Sequence, residues 1–424
     1  MSIFNFEAAM RNSPFWWILI GLMVLIDIYV FQVVKNLSHA TAPKARLIIY
    51  SVYWIVSVAA VIVLIILPRL QFEHQAKLIK TSIFAIIIGL FLAKLAASFF
   101  FLIDDIRRSI QWVVEKLFLS SKAERAEKGE GISRSVFLSW MGLAFGGGLF
   151  GTFIYGFGNK YRYQVMRIRL SFPDLPASFR GLKILQIADI HSGSFTDKKA
   201  VAKGVEKILK EKPDIVLFVG DLVNNVADEM HDYMDVFNRI KAPMGVYSTL
   251  GNHDYGDYVH WDNPEEKKIN LERLKQIHSD LGWRLLMNEH VILEKGVDKI
   301  ALIGVENWSA KARFPKYGDL AKAYSGLENF PFKILMSHDP SHWDAEVRVS
   351  YPDIDLMLSG HTHGMQFGVE MPGLKWSPVQ YIYKQWAGLY EEGNQKLYVN
   401  RGYGFIGYPG RVGILPEITV LELV

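Results

Sequence analysis

The chain has 424 residues, half of them hydrophobic, with no cysteine and a formal net charge of +4. That length exceeds one ordinary core and points to two units, while the lack of cysteine excludes disulfides, thiolate metal sites and cysteine nucleophiles, so any metal must be held by nitrogen and oxygen. The mild charge, with no long Lys/Arg run, argues against nucleic-acid binding.

The apolar excess lies before residue 159. Four stretches there, 14–34, 47–67, 82–103 and 136–158, are long enough to cross a bilayer, which takes roughly 20 helical residues. The sequence therefore predicts an α-helical, multi-pass membrane region over 1–158. Its first span is retained, because no nearby small-residue cleavage site follows and a second span comes quickly. Trp16, Trp17, Tyr50, Tyr53, Trp54 and Trp140 fall near the ends of these stretches, where amphipathic rings straddle the membrane interface. Gly147 and Gly151, one turn apart, predict a close helix–helix approach. Asp27 and Lys94 lie well inside apolar spans; isolated charge is expensive there, so the expectation is a mutual pair within the bundle, with a transport or relay role as the alternative.

Orientation follows from the basic residues of the loops. Lys35, Lys44, Arg46, Arg107, Arg108, Lys116, Lys122, Arg125, Lys128 and Arg134 lie on one side, ten against the eight of Arg11, Arg69, Lys77, Lys80, Lys160, Arg162, Arg167 and Arg169. Before the fourth span, Ser133-Arg134-Ser135-Val136-Phe137-Leu138 resembles a twin-arginine export signal with one arginine missing. Both features favour an extracytoplasmic C-terminal domain.

From 159 to 424 the pattern changes to short apolar runs. Those at 183–188, 214–219, 246–250, 333–336 and 354–358 read as buried strands, with helical patterns at 197–211 and 264–281 between them, an α/β layered arrangement. Because α/β sheets gather ligands at strand carboxyl ends, the residues that follow each run matter most. They are Asp189-Ile190-His191, Gly220-Asp221, Gly251-Asn252-His253-Asp254, Ser337-His338-Asp339 and Gly360-His361-Thr362-His363-Gly364, which hold five of the 12 histidines. In Asp189/His191 and His361/His363 the donors are two apart, which in extended backbone aims both at one face. Single pairs of this kind are weak signals; five together are not.

In that order these motifs resemble the calcineurin-like metallophosphoesterase superfamily, in its membrane phosphohydrolase type with four N-terminal transmembrane helices. The likeness covers about 161–424. It implies a layered α/β/β/α sandwich over 159–424 and two divalent metal ions. One would be held by Asp189, His191, Asp221 and His363, the other by Asp221, Asn252, His338 and His361, with Asp221 bridging. Mixed nitrogen and oxygen donors favour Mn, Fe or Zn. His253 matches the position that protonates the leaving group or stabilises the transition state. The tail around Arg401 and Arg411 resembles the closing segment near the site, so either arginine is a candidate phosphate contact or an ordinary ion pair. Two positions depart from the pattern: Met365 stands where many relatives have glycine, and Asn224 where an acidic residue is common.

Trp376, Tyr381, Tyr383, Trp386 and Tyr390 cluster after the histidine pair. Core or cap packing is the expectation, a membrane-facing lip the sharper alternative. The implied activity is hydrolysis of a phosphomonoester, phosphodiester or pyrophosphate, on an amphiphilic, lipid-linked substrate, by metal-activated hydroxide. Two alternatives stand beside it: hydrolysis of the UDP-diacylglucosamine pyrophosphate at the cytoplasmic face, and a catalytically silent membrane binding protein on the same fold.

Overall fold

The computed structural model describes residues 14–67, 74–118 and 134–424, and these fall into two compact units that divide between Tyr155 and Gly156. Of the residues counted for orientation, Arg11, Arg69, Lys122, Arg125 and Lys128 lie outside the described set, as do Ser133 and the side chain of Lys77.

The first unit contains α1 (Pro14–Leu37), α2 (Pro43–Ile66), α3 (His74–Phe118) and α4 (Arg134–Gly156). Each is long and apolar enough to cross a membrane. The third departs most from expectation: its 45 residues extend for about 68 Å at 1.5 Å per residue, far beyond the predicted 82–103. The helix continues through a charged stretch because Arg107 pairs with Asp104 at 2.8 Å and Arg108 with Asp105 at 3.7 Å, both one turn apart.

Asp27 and Lys94 do pair, and Ser57 completes the cluster by donating to Asp27 at 3.0 Å and accepting from Lys94 at 2.8 Å. Tyr53 joins it by donating to the Asp27 carbonyl at 2.7 Å, so this ring is committed to the bundle's polar cluster instead of the interface. The glycine seam also differs from the expected one. Gly147 and Gly151 have open space where a Cβ would stand, whereas a Cβ on Gly146 would lie 2.5 Å from the Ala93 carbonyl oxygen and one on Gly142 2.9 Å from that of Ala97. The helical face that meets α3 is therefore Gly142–Gly146, again one turn apart.

The second unit is a sandwich of two six-stranded sheets. The first orders its strands β1 (Gln164–Leu170), β14 (Glu417–Leu423), β2 (Lys183–Ile187), β3 (Ile215–Val219), β4 (Val246–Thr249) and β5 (Arg284–Leu285). The second runs β12 (Gly388–Glu392), β13 (Gln395–Val399), β9 (Leu356–Ser359), β8 (Lys333–Met336), β7 (Asp298–Gly304) and β6 (Glu289–Lys295). A small hairpin, β10 (Val369–Met371) with β11 (Leu374–Trp376), stands apart.

Continuous apolar runs made β2, β3, β8 and β9 legible, and the packing gives the reason. Alternate residues of one strand serve two cores. Ile215, Leu217 and Val219 meet Ile334, Met336 and Leu358 between the sheets. Val216 and Phe218 point the other way, against Val201, Val205 and Ile208 of α5 (Lys198–Lys210) and Leu274 of α6 (Pro264–Asp280). On the far sheet, Ile303, Leu335 and Met357 pack against Leu320 and Ala323 of α7 (Leu320–Tyr324). The order of layers is α/β/β/α. Both long helices begin where capping chemistry places them, with Asp197 accepting from the Ala200 amide and Asn263 from the Glu266 amide.

Candidate metal centre

In the first sheet β2 to β5 are parallel, and in the second β7, β8, β9 and β13 are parallel. Their carboxyl ends bring together the segments singled out from sequence. Asp189, His191 and His363 form one group of donor atoms within 4.8 Å of one another, and Asp221, His338 and His361 form a second. Across the groups, Asp221 Oδ2 lies 3.1 Å from His338 Nε2 and 3.5 Å from His191 Nε2. That carboxylate therefore stands between both sets.

The local backbone is not the extended chain that the two-residue spacing suggested. Asp189, His191, Asp221, His361 and His363 have φ of 55°, 49°, 62°, 72° and 50°. This left-handed region is sparsely populated by residues other than glycine. Sharp left-handed turns, not pleat alternation, aim these side chains, which is how His361 and His363 come to serve different groups. Met365 keeps the same handedness at φ 55°, so the loop shape that a glycine would allow is preserved by a residue that adopts it under strain.

Hydrogen bonds hold the ligand-bearing loops together. Asp254, two residues beyond Asn252, accepts from the amides of Asp221 at 2.9 Å, Leu222 at 2.8 Å and Gly251 at 2.8 Å. Burial and the neighbouring Asp221 charge push its carboxyl up to about 7. His338 Nδ1 donates to the Val219 carbonyl at 2.7 Å, which turns Nε2 toward Asp221 and the second donor group. His253 Nδ1 donates to the Asn224 carbonyl at 2.7 Å, and its ring packs 5.0 Å from that of His191. Tyr258 OH accepts from Asn252 Nδ2 at 2.8 Å, which turns Asn252 Oδ1 the other way.

The donor set fits divalent cations. His191 Nδ1 and Asn252 Oδ1 are buried without a protein hydrogen-bond partner among the described residues, a costly arrangement unless something else satisfies them. Burial holds His191 and His361 below the ordinary histidine range, in the neutral form that ligates. Burial also lowers His338, yet Asp221 and Asp189 outweigh it and raise this ring to about 10. The buried carboxylates thus favour a positive charge on this ring.

Both arginine candidates are committed elsewhere. Arg401 donates to Glu370 at 2.9 Å and to Glu417 at 2.5 Å. Arg411 is wholly buried and donates to the carbonyls of Arg401 at 2.7 Å, Gly402 at 3.2 Å and His363 at 3.3 Å. With most of their donors directed at protein atoms, both arginines brace the closing segment around His363. Among the aromatics, Tyr383 and Trp386 are buried with Val379, Ala387 and Ile414, as packing predicts, while Tyr381 is 77% exposed.

Two neighbours went unassigned in the sequence. Tyr383 OH lies 2.9 Å from His361 Nε2 and donates to Asp339 at 3.2 Å, and Phe314 meets His361 edge-on at 4.8 Å. The acid of Ser337-His338-Asp339 was the available signal for the first; no sequence signal announced the second.

Comparison with known proteins agrees with this geometry. Residues 10–159 match the family model described as "Probable Calcineurin-like phosphoesterase, transmembrane domain", and residues 182–365 match "Calcineurin-like phosphoesterase". Over 280 residues the chain is 29% identical to "Transmembrane protein with metallophosphoesterase domain" of Danio rerio, covering 64% of this chain and 60% of that protein. It is 29% identical to "Phosphodiesterase YaeI" of Escherichia coli (strain K12), covering 62% of this chain and 88% of the relative. Identity to "UDP-2,3-diacylglucosamine pyrophosphatase LpxG" of Chlamydia trachomatis is 27%, covering 57% and 83%.

Proposed function

Since this chain belongs to the calcineurin-like metallophosphoesterase family, in its type with four membrane-spanning helices, we propose that it is a membrane-anchored hydrolase of phosphate esters that works with two divalent metal ions. The observation that carries this reading is the convergence of two buried donor sets on a shared carboxylate, with unpartnered ligand atoms among them.

Asp189, His191, Asp221 and His363 would hold one ion, and Asp221, Asn252, His338 and His361 the other, with Mn, Fe or Zn suited to such donors. Ions held there supply Lewis acidity toward phosphoryl oxygens and lower the pKa of water. His253, fixed in one tautomer by Asn224, delivers a proton to the departing oxygen from Nε2. Asp254 keeps the loops of Asp221 and Asn252 in register.

Met365, Met371, Leu374, Tyr381 and Ile382, in and around the segment after the histidine pair, are exposed apolar side chains. They support a lip for an amphiphilic, lipid-linked substrate, with these residues in place of the buried Trp386. The loop-charge balance and the twin-arginine-like stretch support an extracytoplasmic domain; a cytoplasm-only fluorescent reporter at the C-terminus should stay dark. The Chlamydia relative's name favours a second reading, pyrophosphate cleavage in UDP-diacylglucosamine at the cytoplasmic face, and a bright reporter would favour it. A catalytically silent binding protein is disfavoured by the intact donor set.

The test is metal analysis and turnover of aryl phosphates, diesters and phospholipids by detergent-solubilised protein. His253→Gln should lower turnover about 10²- to 10⁴-fold with metal content unchanged, and Asp221→Asn should lower both. Turnover retained in either variant would refute the assignment.

A further inference from the structure

The loop over 305–319 carries three cations that the metal centre does not use. Lys311, Arg313 and Lys316 have no ion-pair partner among the described residues, unlike most charged side chains nearby; Asp257, for example, pairs with Lys267 and accepts from Tyr317 at 3.0 Å. The loop is built, not loose. Asn307 Nδ2 donates to the Pro315 carbonyl at 3.0 Å, and the Asn307 carbonyl accepts from the amides of Tyr317 at 2.8 Å and Gly318 at 3.0 Å. Ser341 Oγ accepts from the Ala310 amide at 2.9 Å, and Tyr255 stacks on Tyr317 at 4.0 Å. A turn closed by the Phe314 amide and the Lys311 carbonyl, 3.0 Å apart, forms its tip.

That tip stands over the second donor set. Phe314 lies edge-on to His361, and the Arg313 guanidinium sits 4.6 Å above the Phe314 ring. Lys311 lies 5.3 Å over Tyr383, whose hydroxyl is 2.9 Å from His361 Nε2. An exposed arginine thus stands on the ring that meets His361, next to a lysine that covers the tyrosine on that same histidine, and its guanidinium has no hydrogen-bond or ion-pair partner among the described residues. A planar fork of donors in that place suits a second phosphate.

We propose that Arg313, supported by Lys311 and the Phe314 face, is a second anion subsite that selects pyrophosphate diesters, in which the scissile phosphate carries another as its leaving group. The inference rests on the hydrolase reading above. Water adds to the phosphorus at the donor cage, forming one P–O bond as the P–O–P bridge breaks. The departing phosphate monoester takes the bonding pair, its added negative charge falls to Arg313, and the protons of water pass to the products and solvent.

Two probes separate the claims: bis(p-nitrophenyl) phosphate, with one phosphate, and UDP-glucose, with a pyrophosphate bridge, assayed on the full-length protein in detergent with Mn added. Arg313→Met should lower kcat/KM for UDP-glucose about tenfold to a hundredfold, the loss of one charge-assisted hydrogen bond. The change on the one-phosphate diester should be small, metal content should be unaltered, and Arg313→Lys should recover part of the loss. Equal loss on both probes, or none on either, overturns the subsite. A wild-type protein that cleaves only the diester overturns the substrate class and leaves the hydrolase reading standing. One that takes up no divalent ion and cleaves neither removes both.

Discussion

Replacing His278 by Leu should remove a defined part of the acid sensitivity of the catalytic domain. His278 lies on the last turn of α6, fully buried, with its ring 6.0 Å from Phe218 and 6.1 Å from Trp283, and neither ring nitrogen has a hydrogen-bond partner among the described residues. A helix carboxyl terminus favours imidazolium, but burial wins here and pulls the ring down to about 3. The folded pKa lies below the unfolded value of about 6.5, so between those limits the unfolded chain binds a proton that the folded chain refuses. The histidine's contribution is intact above pH 6.5 and is lost progressively as pH falls toward 3. One pH unit corresponds to about 1.36 kcal/mol, which puts the loss between pH 6.5 and 5 at about 2 kcal/mol. Urea unfolding of detergent-solubilised protein, followed by tryptophan fluorescence at pH 7 and pH 5, measures it. His278→Leu should lose about 2 kcal/mol less than wild type across that interval. Parallel losses in the two proteins would show that the ring is protonated or hydrated in the folded state and would refute the reasoning.

In the bundle, Lys94→Met alone should destabilise by on the order of 3 kcal/mol by leaving Asp27 buried without its partner. The double change Asp27→Leu with Lys94→Met should recover most of it, read as the SDS fraction at half-unfolding. Gly146→Val should weaken the same bundle by about 1–3 kcal/mol, since its Cβ would stand 2.5 Å from the Ala93 carbonyl oxygen; Gly147→Val, in open space, should be nearly silent, and reversed effects would restore the seam expected from sequence. Gly251→Ala would bring a Cβ to 2.2 Å from Asp221 Oδ1 and should lower metal affinity about tenfold or more, comparable to the loss of a supporting partner; unchanged metal titrations would show that the carboxylate can move aside.

What was legible in the sequence follows from which physics is local. β3 reads as a strand because Ile215 to Val219 are buried on both faces, and the donor-rich segments read as a site because parallel strands end there. β14 is harder: its buried Glu417 and Thr419 look like surface residues until Arg401, Tyr398 and Asn400 supply their hydrogen bonds from elsewhere in the chain. β6, with alternating exposed positions at a sheet edge, carries too weak an apolar run. The seam falls at Gly142 and Gly146 and not at Gly147 and Gly151 because sequence gives the spacing of small residues and not the rotation of the helix that bears them. Arg401 and Arg411 resemble anion contacts by type; only the fold reveals that carboxylates and carbonyls engage most of their donors.

The left-handed turns at the metal centre constrain how its chemistry can be dissected. Asp, Asn and His tolerate that backbone region better than other side-chain-bearing residues, so the amino acids able to bind a cation at positions 189, 191, 221, 361 and 363 are also those able to sit there. A valine at any of them would fail twice over, once as a donor and once as a link in the chain. Replacement by asparagine keeps the permissive backbone while altering the donor, and replacement by glycine keeps the bend while deleting it. Comparing the two at one position separates what the side chain binds from what the main chain must do to present it.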